Sequence, residues 1–450
     1  MSSAPGLRQG LSKRQLEFLA IGGAVGAGLF VGSAEGLHAA GPGLLVAYAI
    51  CGVVVYLIAR CLGELALGHP GQGTFVDYIQ WQLGPRWGFV SGWMFWLGIV
   101  LVGMAELTAI GLLLHPWLPN LPQWAIVLGV LAGVLLLNQA PVGWFGESEF
   151  WLSSLKIATI VGFIALAIAA VLAPGRFPSL GVRAVDLWGR GLFPTGLAGF
   201  AMAIPPTLLA FGGFELIGLA AAEVADPLRT VPRAVNGLIA RIVIFYMGAT
   251  AALLVLIPWS RITPESSPFV EVLQRMGLPF AADFINLMLI TAIVSSCNSL
   301  IFGGSRALHS LATNGNAPKI LAALNGRQVP GRAVLLTILA VSMAVALNSF
   351  VPRRAFGILM QCVSILMTLN WVLIVLSELR FRRRADPAQA ILFPAPWTPW
   401  SNLGVIPFVV AVFAIMAGDS SVRPVFLIAG GLVAGLILTS AVVRRRGAGA

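Results

Sequence analysis

The chain has 450 residues, of which 58% are hydrophobic and 10% charged, with a formal net charge of +11. Ordinary soluble domains carry roughly 25% charged residues, so this composition excludes a water-solvated globule and makes lipid the solvent for most of the surface. A hydrocarbon layer about 30 Å thick takes roughly 20 apolar residues per spanning helix, which leaves room for about a dozen spans in one membrane domain.

Apolar segments bounded by charge, Pro or Gly fall near 16–38, 42–62, 87–114, 123–140, 150–173, 195–222, 237–258, 279–307, 333–350, 355–378, 403–418 and 422–443, twelve in all. Ser2 to Gln15 is polar and basic, and the first run continues past signal-peptide length, so no leader is expected to be cleaved and the first helix stays. With a cytoplasmic amino terminus, 19 Lys and Arg residues fall on the inner side and 8 on the outer side, with Lys156 inside a span. That asymmetry predicts cytoplasmic termini and a bacterial inner-membrane location, and it explains the positive charge without a nucleic-acid partner. The expected organisation is a tail over 1–15, one transmembrane domain over 16–443 and a second tail over 444–450.

The first span is interrupted by Gly22-Gly23-Ala24-Val25-Gly26-Ala27-Gly28, and the sixth by Phe211-Gly212-Gly213-Phe214-Glu215 shortly after Pro205-Pro206. Equivalent breaks at spans one and six predict two five-helix halves, about 16–173 and 195–378, inverted because five is odd, with two extra helices over 403–443. The plainer alternative is that both glycine clusters are close-packing faces of ordinary helices. Peptide groups freed in mid-membrane need protein, water or ligand as partners. A zwitterionic amino acid meets that need: its carboxylate takes the amides at a half-helix N-terminus and its ammonium takes free carbonyls. Gly26 and Gly28, with Ala24 and Ala27 between and beside them, are therefore the carboxylate-side candidates, and the carbonyls around Ile21, Ala24 and Phe211 the ammonium-side ones. Gly212 belongs to the same break.

Ionisable residues inside spans are functional candidates by default. Glu106 lies low in the third span, where it either serves the site or reaches the interface. Lys156 stands about two turns into the fifth span, as a proton carrier or as a tether for neighbouring carbonyls. Glu215, at the second break, acts either on substrate and protons or as a ligand that holds the broken helix. Glu149 and Glu223 are read as boundary residues on a solvated face or in a salt bridge. Phe211 and Phe214 flank the break, where they gate the substrate or simply pack. Trp93, Trp96, Trp117, Trp124 and Trp259 read as interfacial anchors. Cys51, Cys61, Cys297 and Cys362 read as small hydrophobes, and the scattered His38, His69, His115 and His309 imply no metal site and no cofactor.

Gly23 to Gly32 followed by Ala40-Gly41-Pro42 resembles the opening of the bacterial amino-acid transporter family within the amino acid–polyamine–organocation (APC) superfamily. So do Gly146-Glu147 with Glu149-Phe150-Trp151 and Lys156, Phe211 to Gly218, Ala222-Glu223, Asp226-Pro227 through Pro232-Arg233-Ala234, Ser267-Pro268-Phe269-Val270 and Gly315 to Lys319. The resemblance implies a 5+5 inverted-repeat fold, alternating access, and proton symport in which Lys156 occupies the place sodium takes in related carriers while Glu215 couples gate to substrate. Many members carry Thr where this chain has Ala24 and Ala27, so backbone must replace a hydroxyl at the substrate carboxylate. Gly26-Ala27-Gly28 resembles 4-aminobutyrate permeases, Gly103 to Ala109 proline and aromatic permeases, and Ser267 to Lys319 D-serine, D-alanine and glycine permeases. The implied function is import of neutral L- or D-amino acids, with a 4-aminobutyrate permease or an exchanger as the alternative. A proton-translocating respiratory subunit would need more midplane ionisable groups, and a membrane enzyme a cluster of nucleophile and base that the chain does not show.

Overall fold

The computed structural model describes residues 15, 18, 26–30, 32–69, 74–115, 117–173, 191–221, 226–262, 267–277, 279–344, 346, 355–384, 391–420 and 422–447, and every regular element among them is helical. In chain order these are α1 (Ala27–Phe30), α2 (Gly32–Ala40), α3 (Leu44–Gly68), α4 (Phe75–Leu83), α5 (Pro85–Leu114), α6 (Gln123–Gln139), α7 (Val142–Leu172), α8 (Gly196–Ala210) and α9 (Glu215–Ala220). Then follow α10 (Pro227–Arg241), α11 (Ala249–Leu256), α12 (Pro268–Arg275), α13 (Pro279–Thr313), α14 (Gly331–Ser342), α15 (Ala355–Arg384), α16 (Trp400–Gly418) and α17 (Arg423–Gly447).

Among the described residues, nine helical runs are long and apolar enough to cross a membrane, and α6 and α14 are shorter apolar helices. One of the nine, Gly28–Gly68, is bent by the tight turn Gly41–Gly43, where Gly41 takes φ +56°, a conformation open to glycine without strain. Bulky apolar side chains such as Leu136, Leu172 and Leu438 stay exposed, as lipid-facing residues must. The centre is built on α5, which packs along both α13 and α15, while α2 lies against α8. Polar residues in this core are many, and most find partners there.

Several boundaries differ from the sequence expectation. Helix α7 begins at Val142, eight residues before the expected start at 150, because Pro141 initiates it and the acidic residues that follow lie on the helix itself. Helix α10 starts at Pro227 rather than near 237: Asp226 caps it by accepting the Arg229 amide at 3.3 Å, and its first turns are amphipathic. Trp96 is not an interfacial anchor but is buried, its Nε1 donating to Thr337 Oγ1 at 3.0 Å. Trp117 and Trp124 do remain exposed near helix ends.

Near the C-terminal end of α15, Arg382 joins that helix to α3. Its guanidinium donates to both Glu64 oxygens at 2.8 and 2.7 Å and lies 2.7 Å from Glu378, and both carboxylates are fully buried. Removing a cation from between two buried carboxylates leaves charge without compensation. Arg382→Ala is therefore expected to destabilise the protein by about 3 kcal/mol, read as a lowered unfolding midpoint in detergent; an unchanged midpoint would show that this cluster does not hold the helices together.

Candidate functional site

Helix α8 carries Pro205 and Pro206 in its interior, which removes two backbone donors and weakens the turn before its end. It stops at Ala210, the chain turns through residues 211–214 with Gly213 at φ +98°, and α9 resumes at Glu215. The expected break of the sixth span is thus present. The freed groups are met from within: Tyr246 donates its hydroxyl to the Ala210 carbonyl, and Glu215 Oε2 accepts the Gly213 amide at 2.7 Å. Glu215 Oε1 accepts the indole N–H of Trp371. Glu215 is therefore a ligand of the broken helix, whatever else it does. Tyr246 reaches this place from a seven-residue π-helical turn, Ile242–Gly248, that connects α10 to α11.

Beside the break lies a cavity with about 580 Å³ of empty space, its mouth included. Gly26, Gly28, Glu106, Gly212 and Glu215 all line it, so five residues singled out from distant parts of the sequence meet on one wall system. The rest of the lining is apolar. From α5 come Phe95, Ile99 and Val102, which share a face with Glu106 at steps of four, three and four residues. From α15 come Met360, Val363 and Met367 at steps of three and four. Ala210 with Gly212 brackets the Phe211 backbone at the cavity. Met360 is shared with an adjoining cavity whose walls include Glu35, Pro205, Pro206, Gln361, Ser364 and Asp419.

Glu106 does not reach the interface as one reading allowed. It is buried and accepts the Ser296 hydroxyl at 2.9 Å. A side-chain carbon placed on Gly26 would run into that carboxylate and into Ser296 Oγ, so Gly26 is held against Glu106 with no spare room. Gly28 differs, since a Cβ there would sit 3.8 Å from its nearest neighbours. The Phe211 and Phe214 rings are buried in protein packing, Phe211 against Tyr48 and Tyr246 and Phe214 against Trp371, and are not part of the cavity lining. Ala27 opens α1, whereas Ile21, Ala24 and Glu223 lie outside the described residues.

Glu149 corrects the sequence reading most. Far from a solvated boundary, it is fully buried, and three donors from one face of α13 converge on it: Ser295 and Ser299 at 2.8 Å each and Asn298 at 2.6 Å. Asn298 in turn accepts from Asn138 of α6 at 2.7 Å. Lys156 is also buried, and it is deeper than expected: with α7 starting at Val142, it stands fourteen residues and about 21 Å into the helix at 1.5 Å per residue. Both Glu149 and Glu106 lie within its electrostatic reach. Among the described residues no group of His, Cys, Asp or Glu is arranged to hold a metal ion. The polar run Ser295-Ser296-Cys297-Asn298-Ser299, inside an otherwise apolar segment, is the signal that could have placed this network from sequence.

A multi-pass helical bundle with a span unwound beside a mostly apolar cavity has the architecture of a membrane transporter. A family model described as Amino acid permease matches residues 15–444, and the chain belongs to that family. It is 39% identical over 413 residues to the aromatic amino acid transport protein AroP of Escherichia coli (strain K12), a match covering 91% of this chain and 90% of that protein. It is 37% identical over 414 residues to the uncharacterized transporter YdgF of Bacillus subtilis (strain 168), again over 91% of the chain and 90% of the relative. The protein is thus an amino-acid transporter of the membrane and not an enzyme.

Proposed function

We propose that this permease imports neutral amino acids with large apolar side chains, aromatic ones foremost, by proton symport across the bacterial inner membrane. The observation that carries this reading is the composition of one cavity: the backbone of Gly26, Gly28, Gly212 and Gly213 with the Glu106 and Glu215 carboxylates on one side, and the apolar faces of α5 and α15 on the other. The peptide groups suit the zwitterion common to all amino acids, and the apolar wall suits a side chain that gains by leaving water. The name of the AroP relative supports the aromatic choice.

In this reading the Gly28–Gly68 run is two spans and α6 and α14 are both spans, which makes twelve, with α16 and α17 added to an inverted 5+5 core. Both termini face the cytoplasm, and the adjoining cavity on the Glu35 and Asp419 side is the outer vestibule, divided from the central cavity by Met360. The carboxylate of the substrate meets the backbone at Gly26 to Gly28 and its ammonium the Phe211 side of the break, with Glu106 and Glu215 closing the polar end. Lys156 carries the coupled proton.

Ligand-induced stabilisation tests the substrate class. At 100 times its dissociation constant a ligand that binds only folded protein adds about 2.7 kcal/mol. Phenylalanine, tyrosine or tryptophan is expected to raise the unfolding midpoint of the purified protein, with proline, alanine, glycine, D-serine and 4-aminobutyrate giving smaller shifts. A shift confined to 4-aminobutyrate or to the smallest amino acids overturns the aromatic assignment. Proteoliposome uptake under an imposed pH gradient tests the symport: accumulation above the external concentration supports it, and equilibration alone refutes it.

A further inference from the structure

Glu149 is not among the residues given a part in transport above, yet it is fully buried and surrounded by side-chain donors. Three side-chain donors on one turn of α13 converge on its two oxygens at 2.6 to 2.8 Å. A carboxylate at this depth with no positive partner would be expensive to bury. The positive partner is on the same helix. Lys156 follows Glu149 by seven residues, two turns on, and therefore shares its face. Long side chains on a helix lean back toward its N-terminus, which brings the Lys156 ammonium down toward Glu149. Their charges interact, and Glu106 acts on the same lysine more weakly.

We propose that Glu149 is the fixed counter-charge of Lys156: it stabilises the protonated ammonium in the closed interior and thereby sets the pH range over which the proton gradient can drive transport. The proposal rests on the proton-symport reading above. Glu149 is a positioning residue, outside the cavity lining, and acts only through the lysine. The hydrogen bonds from Ser295, Asn298 and Ser299 hold its oxygens in place, so the ammonium moves relative to a stationary charge. The other titratable groups here are Glu106 on α5, which acts on the same lysine, and Cys297 on α13, within reach of both carboxylates; Tyr246 on the π turn is within reach of Glu106 and of Arg241 at the end of α10. Arg306 of α13 lies farther off, over the Phe302 ring, which itself stacks on Phe145 of α7. From α6 comes the neutral Asn138 amide. Only Lys156 among these is a cation on the face of α7 that Glu149 occupies.

The test is the pH profile of uptake into proteoliposomes, measured with phenylalanine for Glu149→Gln and Glu149→Asp beside the parent. Gln keeps size and hydrogen-bonding capacity but loses the charge, so a higher proton concentration is needed to load the lysine. The midpoint of the profile is expected to move to lower pH by about one unit or more, the equivalent of a tenfold change in proton affinity. Asp keeps the charge and should leave the midpoint within a few tenths of a unit of the parent. A parental midpoint in Glu149→Gln, or an equal displacement in both variants, overturns the proposal. If Glu149→Gln fails to reach the membrane, Lys156→Met/Glu149→Gln, which removes both charges, should be recovered; failure of both then overturns it as well. A parental pH profile in Lys156→Met alone would instead reject the symport reading, which separates the two failures.

Discussion

Gly26→Leu is expected to abolish substrate binding while the folded protein is still recovered. Any side chain at this position begins inside contact distance of Glu106 Oε1 and Ser296 Oγ, and the remaining atoms of leucine would enter the central cavity. The Glu106 carboxylate would have to swing away and give up its 2.9 Å bond from Ser296, and the backbone proposed to meet the substrate carboxylate would be covered. Loss of roughly 3 kcal/mol of binding energy corresponds to about a hundredfold in affinity. The readout is the ligand-induced rise in unfolding midpoint, which should vanish, together with uptake at background level.

Gly28→Ala is the internal control. Its added methyl would meet Ala210 and Met360 only at 3.8 Å, an ordinary contact, so affinity should change by less than about threefold. The pair separates a carboxylate site at Gly26 from a general need for small residues in the first span. Normal affinity in Gly26→Leu would place the substrate elsewhere, and equal loss in both variants would point to helix packing rather than to a site.

The residues that reached the cavity from sequence alone share one property, which is that they break a rule of membrane helices. Gly212 interrupts a span, Gly26 and Gly28 belong to the glycine-rich stretch expected to interrupt the first one, most of which lies outside the described residues, and Glu106 and Glu215 are carboxyl groups where lipid disfavours them. Phe95, Ile99, Met360 and Met367 break no rule. In a membrane bundle the face toward a cavity and the face toward lipid are both apolar, so no periodicity distinguishes them, and these walls had to be seen. Tyr246 and Trp371 fall between. A polar-tipped ring deep in a span calls for a partner, but which backbone oxygen or carboxylate it finds depends on packing between segments far apart in the chain. Glu149 was misread for a different reason. It stands one residue before the expected start of a span at 150, and only the α13 serines and Asn298 show that the helix is already inside the protein there.

Lys156→Met should uncouple transport from the pH gradient without removing the binding site. Methionine is close to lysine in length and is readily accommodated in an apolar interior, so the packing of α7 changes little. What changes is charge. The variant lacks the amine proposed to take up and release the coupled proton, and Glu149 is left as a buried carboxylate held by hydrogen bonds without that positive charge. Gradient-driven accumulation in proteoliposomes is expected to fall to simple equilibration, at least about tenfold below the parent, with uptake flat in pH. Binding of phenylalanine should remain within about threefold, because Lys156 is not part of the cavity lining and the peptide groups of the break are intact. If Lys156 instead tethers neighbouring carbonyls, the same variant loses substrate binding, and accumulation disappears along with exchange of internal for external phenylalanine. Exchange is therefore the deciding measurement: it persists when only the proton carrier is gone, since moving substrate both ways through the cavity needs alternating access but no net proton.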